Sequence, residues 1–162
     1  MSVRPSTRVL AIDPGYDRLG VALIEGDPSK PVCVWSEVVL PPKGAREERL
    51  ACVFTALERL LTEYSPTIVA IESLFFTKNQ TTGIGVAEAR GAVLAAAGRA
   101  KVPVLEFSPQ QVKLAVTGYG NADKKAVMVM VPKLVSLPER KRLDDEYDAI
   151  ALGIAALSTR PR

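Results

Sequence analysis

With 162 residues, 48% of them apolar and 24% charged, the chain has the size and composition of one globular domain with a substantial core. Its 21 basic and 18 acidic residues leave a net charge of +3, which permits a polyanionic partner without demanding one. Histidine is absent, which excludes Ser-His-Asp and Cys-His catalysis and imidazole-ligated zinc. An enzyme of this composition must work with carboxylates, lysines or a bound metal.

No apolar run approaches the roughly 20 residues of a membrane span, and the polar N-terminus carries no apolar signal region. A cytoplasmic protein without a membrane partner is expected. Residues 1–162 read as a single domain, with flexible ends at 1–7 and 159–162. Cys33 and Cys52 lie far apart in apolar surroundings and read as buried thiols of a reducing compartment.

In chain order, three strand signals come first, at Val9–Asp13, Leu19–Glu25 and Val32–Leu40. Pro14-Gly15 and the Gly26-Asp27-Pro28-Ser29 stretch separate them, which predicts an antiparallel meander. Leu50, Val53, Phe54, Leu57, Leu60 and Leu61 then recur at helical spacing, predicting an amphipathic helix over Ala45–Tyr64. Ser65-Pro66 ends it, and Thr67–Glu72 is a strand by its branched content. A loop over Ser73–Gln80 leads to a helix rich in small residues, Thr82–Ala100, suited to close packing in the core or against a second subunit. A fifth strand over Val102–Phe107 is followed by Ser108-Pro109, a cap for a short helix to Thr117. Helices over Asp123–Val135 and Asp144–Leu157 complete the chain. This order predicts an α/β fold: a mixed five-stranded sheet, made of the three-strand meander plus two strands, flanked by helices on both faces.

Asp13 and Glu72 each end a predicted strand, so neighbouring strands would bring both to one edge of the sheet. Asp13 also has a local role open to it, opening the Pro-Gly turn through its own backbone. Asp145 and Asp148 are three apart on a helix and share a face; Asp144, four from Asp148, competes with Asp145. An acidic helix start also compensates the helix dipole without further purpose. Converging carboxylates repel one another unless a cation joins them, and oxygen ligands without His or Cys suit Mg²⁺ or Mn²⁺. Two such ions about 3.5–4 Å apart can activate a water and stabilise a leaving oxygen in phosphodiester hydrolysis.

The sequence closely resembles the RuvC family of Holliday-junction resolvases, of the ribonuclease H-like superfamily. The matching residues run through nearly the whole chain: Ile12-Asp13-Pro14-Gly15, Ile71-Glu72-Ser73-Leu74-Phe75 with Lys78-Asn79, Ala89-Arg90-Gly91, Gln111-Val112-Lys113, Gly118–Lys124, and Asp145–Ala151. The resemblance implies a homodimeric, Mg²⁺-dependent endonuclease with two ions per active site, Mn²⁺ substituting, that nicks four-way DNA junctions symmetrically in recombination and repair. It also implies partnership with the branch-migration helicase of that pathway. Carried over by position, Asp13, Glu72, Asp145 and Asp148 are similar to the metal-binding tetrad. Lys113 and Lys124 correspond to the basic residues near the scissile phosphate. Phe75 resembles the aromatic that stacks on an unpaired base, with Phe76 the alternative ring, and Lys78 and Arg90 are candidate phosphate contacts. The other readings are a ribonuclease H-like RNA nuclease and a junction-binding protein without efficient cleavage; the four acids favour a nuclease.

Overall fold

The computed structural model describes residues 6–74 and 80–159. Its elements are β1 (Arg8–Pro14), β2 (Leu19–Asp27), β3 (Lys30–Val39), α1 (Arg46–Tyr64), β4 (Ile68–Glu72), α2 (Gln80–Arg99), β5 (Val104–Phe107), α3 (Pro109–Thr117), α4 (Lys124–Leu134) and α5 (Asp144–Ser158). The sheet order is β3-β2-β1-β4-β5. β1, β2 and β3 form the antiparallel meander, while β1–β4 and β4–β5 are parallel pairs. This is the ribonuclease H-like arrangement expected from the sequence.

Strand alternation sorts the side chains into two cores. Val9, Ala11, Ala22, Ile24 and Ala70 face α3, α4 and α5. Leu10, Ile12, Val21, Leu23, Val69 and Ile71 face α1 and α2, meeting Leu57, Leu60, Val93 and Ala96. The buried face of α5 mixes Ala149, Ala151, Gly153, Ala155 and Ala156 with larger Ile150, Leu152 and Ile154, and the small residues let the helix lie directly on the strands. At Gly153 a Cβ would collide with Ile24, and at Gly20 it would collide with the backbone carbonyl of Asp145.

Three strands differ from their predicted spans by two residues at one end: β2 runs on to Asp27, β3 starts at Lys30, and β5 starts at Val104 and not at Val102. Val102 donates its N–H to Ala97 at the end of α2, and Pro103 has no N–H to give a ladder. The expected flexibility of the chain ends falls mostly on residues outside those described. Among the described residues, no helix is long and apolar enough to cross a membrane.

Candidate active site

The parallel pairing of β1 with β4 sets Ile12 beside Ile71, so the residues that follow them, Asp13 and Glu72, emerge side by side. Both have the strand parity of Ala11 and Ala70 and therefore face the α5 layer. The carboxyl ends of parallel strands are where α/β sheets place their ligands. β5 continues the edge: Glu72 pairs with Phe107, and Ser73 donates its N–H to the Phe107 carbonyl at 2.8 Å. α3 starts two residues beyond Phe107, held by a reciprocal cap between Ser108 and Gln111, and this turns Lys113 towards Glu72. α4 starts at Asp123, whose carboxylate accepts the Ala126 N–H at 2.7 Å, so Lys124 is its first residue. A cation at a helix N-terminus opposes the helix dipole, a local cost offset here by the carboxylates of Asp148 and Asp144, 3.1 and 3.8 Å from the Lys124 ammonium.

The third wall is α5. Asp13 lies opposite Gly20 in the β1–β2 register, and the Asp145 carbonyl packs against Gly20. Asp13, Glu72, Asp148, Lys113 and Lys124 thus line one cleft of about 290 Å³, floored by Val112, Val127 and Ala151. Three larger grooves lie along β3, between α1 and α2, and beside Tyr16 and Glu88, about 520, 410 and 320 Å³. Their acids are each ion-paired: Glu37 and Glu146 with Arg59 and Arg140, Glu58 with Arg99, Asp17 and Glu88 with Arg49 and Arg46. Of these four clefts among the described residues, the β1–β4 cleft alone is lined by more acids than the cations that answer them.

The electrostatics follow from this crowding. Burial, then the charges of Glu72, Asp148 and Asp145, push the Asp13 carboxyl from 3.8 up to about 7, with Lys124 opposing. Burial and Asp148 raise Glu72, against a lowering by Lys113. Burial also raises Asp148, against the hydrogen bond from Lys124. That bond spans 3.1 Å from Lys124 Nζ to Asp148 Oδ2, and it helps hold the Lys124 ammonium above its usual value despite the cost of burial.

The C-terminal acids divide clearly. Asp144 is 60% exposed and lies 3.8 Å from Lys124, outside the cleft. Asp145 is 22% exposed, adds to the field that raises Asp13, and stands beside the cleft without lining it. Its Oδ2 lies 3.1 Å from Arg18 Nη2, yet this buried oxygen has no aligned hydrogen bond. Among the described residues, no three or more acidic side chains are gathered into a ready-made metal cage. Asp148 is paired with Lys124 and Asp145 with Arg18, each at 3.1 Å. The donor chemistry nevertheless fits a hard divalent cation: oxygen ligands, half-buried, with three raised carboxyls and one orphaned buried oxygen.

Of the other residues singled out from the sequence, Arg90 lies on α2, mostly buried and ion-paired to Glu106 on β5 at 2.6 Å, away from the cleft. Phe75, Phe76 and Lys78 lie outside the described residues. Sequence reasoning missed two groups. One is Arg18, in the turn after Asp13. The other is the cluster of buried Ser36 and Glu146, capped by the partly exposed Arg140, that ties the start of α5 to β3. Glu146, at 5% side-chain exposure, also accepts the Leu143 N–H at 2.9 Å, fixing the turn that presents Asp145 and Asp148. Its signal was an acid between two others whose helical position points into the sheet.

Residues 9–156 match the family model described as crossover junction endodeoxyribonuclease RuvC. The chain belongs to the RuvC family. RuvC of Thermosipho melanesiensis is 43% identical over 155 residues, covering 94% of this chain and 99% of that protein. RuvC of Thermotoga maritima is 38% identical over 159 residues, covering 97% and 95%. Among solved structures, T. thermophilus RuvC in complex with Holliday junction substrate superimposes with a TM-score of 0.85 at 34% identity, covering 92% of each chain. The yeast mitochondrial resolvase Ydc2 shares the fold, with a TM-score of 0.69 at 13% identity over 96% of this chain and 81% of its own. The RuvC match therefore spans every element of the cleft, from β1 to α5.

Proposed function

We propose that this RuvC-family chain is a crossover junction endodeoxyribonuclease that resolves four-way (Holliday) DNA junctions by paired symmetrical nicks, in homologous recombination and DNA repair. The observation that carries the reading is the cleft itself: Asp13, Glu72 and Asp148 with Asp145 beside them, faced by Lys113 and Lys124. Asp13, Glu72, Asp145 and Asp148 would hold Mg²⁺, two ions per site, with Mn²⁺ as a substitute. Bound there, the ions would supply the positive charge that offsets the crowded carboxylates, activates a water and stabilises the leaving oxygen.

The remaining work belongs to the protein. Asp13 and Glu72 ride on adjacent buried strands, so their spacing is fixed by the sheet and costs no reorganisation when substrate arrives. Asp148 would hold the cation in place of its bond with Lys124, and the Lys124 ammonium at the rim of the cleft would then be placed to hold a non-bridging phosphate oxygen. Lys113, on the opposite side beside Glu72, offers the second such contact. The same lysines give the cleft its affinity for a DNA backbone, while Phe75 would stack on a base unpaired at the crossover. Lys78 and Arg90 remain candidates for further phosphate contacts, Arg90 only if its pair with Glu106 opens.

Symmetrical nicks require two active sites at a fixed spacing, which a C2 homodimer supplies. The small-residue helix α2 is the proposed interface. The branch-migration helicase of the pathway is the expected protein partner, and the cytoplasm the expected compartment. The test is cleavage of a labelled four-way junction, beside linear duplex and RNA–DNA hybrid, in Mg²⁺, Mn²⁺ and EDTA. Metal-dependent paired nicks confined to the junction are expected. Binding without cleavage in either metal, or cleavage of the hybrid alone, would overturn the reading.

A further inference from the structure

Two arginines reach the first turn of α5, and they are held very differently. Arg140 is locked: its guanidinium bonds the Ser36 carbonyl, the Ser36 hydroxyl and Glu146. Arg18 has one partner among the described residues, Asp145, and meets it without an aligned hydrogen bond. Half of the Arg18 side chain is exposed, at 52%, whereas the Asp145 oxygen it approaches is buried. The backbone of Asp145 cannot retreat, since its carbonyl is seated on Gly20 and its helix start is fixed by Glu146. The side chains alone therefore decide whether this carboxylate turns to Arg18 or to the cleft.

We propose that Arg18 is a resident counter-cation of the metal centre, neutralising Asp145 in the free protein and giving way when a divalent cation claims that carboxylate. The proposal rests on the reading of the cleft as a metal site and adds a competitor within the chain itself. A single, misaligned, half-exposed ion pair is weak enough to be exchanged, unlike the Arg140 cluster. Its presence offsets the one acid of the tetrad that stands outside the cleft, and lowers the negative potential that would otherwise draw a cation in. Arg18 acts on the metal through Asp145 and is a positioning residue, not a catalytic one.

The experiment is a titration of the full chain with Mg²⁺ alone, without DNA and at constant ionic strength, following the rise in melting temperature. Wild type is compared with Arg18→Gln, Arg18→Lys, Asp145→Asn and the Arg18→Gln/Asp145→Asn double variant. Removing a half-exposed competing pair is expected to lower the half-saturating Mg²⁺ of Arg18→Gln roughly fivefold, with Arg18→Lys within about twofold of wild type. In the Asp145→Asn background the loss of Arg18 should change nothing, a non-additivity that a merely structural role would not produce. Unchanged or weaker Mg²⁺ binding by Arg18→Gln, with wild type saturating, overturns the role of Arg18 alone. The same shift with and without Asp145 overturns it equally. A wild type that shows no saturable response overturns both this role and the metal centre.

Discussion

Asp13→Asn separates the cost of the carboxylate cluster from its use. Folding takes the Asp13 carboxyl from 3.8 up to about 7, so the folded chain holds a proton that the unfolded chain releases. The stability linked to that proton is fully present below about pH 4 and is lost as the pH climbs through about 7. At about 1.4 kcal/mol per pH unit, the interval sets a ceiling of about 4 kcal/mol on what an ionised Asp13 costs the metal-free protein at pH 8. Asparagine keeps the shape and cannot ionise. In EDTA at pH 8 the variant should therefore be more stable than wild type by about 2–4 kcal/mol, seen as a melting temperature about 4–15 °C higher. At pH 4.5 most of the gap should close, to about 1 kcal/mol, since the folded wild type is then protonated while its unfolded chain is still largely ionised. Saturating Mg²⁺ at pH 8 should shrink the difference from the other side, by stabilising wild type more than the variant. The assay is thermal unfolding across this pH range, with EDTA and with Mg²⁺. An Asp13→Asn protein less stable than wild type at pH 8 in EDTA, or a gap indifferent to pH, would refute the reasoning.

Three further outcomes are expected. Glu72→Gln should abolish junction cleavage while leaving junction binding within about threefold of wild type, because the proposed site gives the DNA backbone to the lysines and not to the acids; gel-shift and cleavage assays on one preparation distinguish the two. Arg140→Ala strips the buried Glu146 of its cationic partner but leaves it the Ser36 and Leu143 donors. With Arg140 itself 42% exposed, the change should cost about 1–3 kcal/mol in denaturant unfolding, with Glu146→Gln recovering part of the loss in the double variant. Gly20→Ala drives a methyl into the Asp145 carbonyl, backbone against side chain with no rotamer to relieve it. It should cost about 2 kcal/mol or more of stability and lower cleavage further than that loss accounts for, since Asp145 and Asp148 shift together.

What could be read from the residues was the termini of the central strands. Branched apolar runs ending on an acid located Asp13 and Glu72, and turn residues located the meander, because both signals are local. The two neighbouring positions of Asp13 and Glu72 were conditional until β4 paired with β1, a contact between segments more than fifty residues apart. Helical spacing put Asp145 and Asp148 on one face but could not choose between Asp144 and Asp145; exposure of the first and seating of the second against Gly20 separate them. The Ser36–Arg140–Glu146 cluster joins a strand to residues a hundred positions later, and nothing local announces such a bond. Arg18 was passed over for the opposite reason: one arginine in a polar turn looks like any solvated side chain.

The division of the interior into two cores has a consequence for how the protein can vary. Every element that shapes the cleft, apart from the strands themselves, belongs to the α3–α4–α5 layer, while α1 and α2 pack on the reverse side through Leu10, Ile12, Val69 and Ile71. The sheet is a partition between chemistry and the outer α1–α2 surface. A change on that surface reaches the carboxylates only through the strands, or through the proposed α2 interface that would space the two active sites, so the same partition lets one face set the chemistry and the other set the distance between two copies of it.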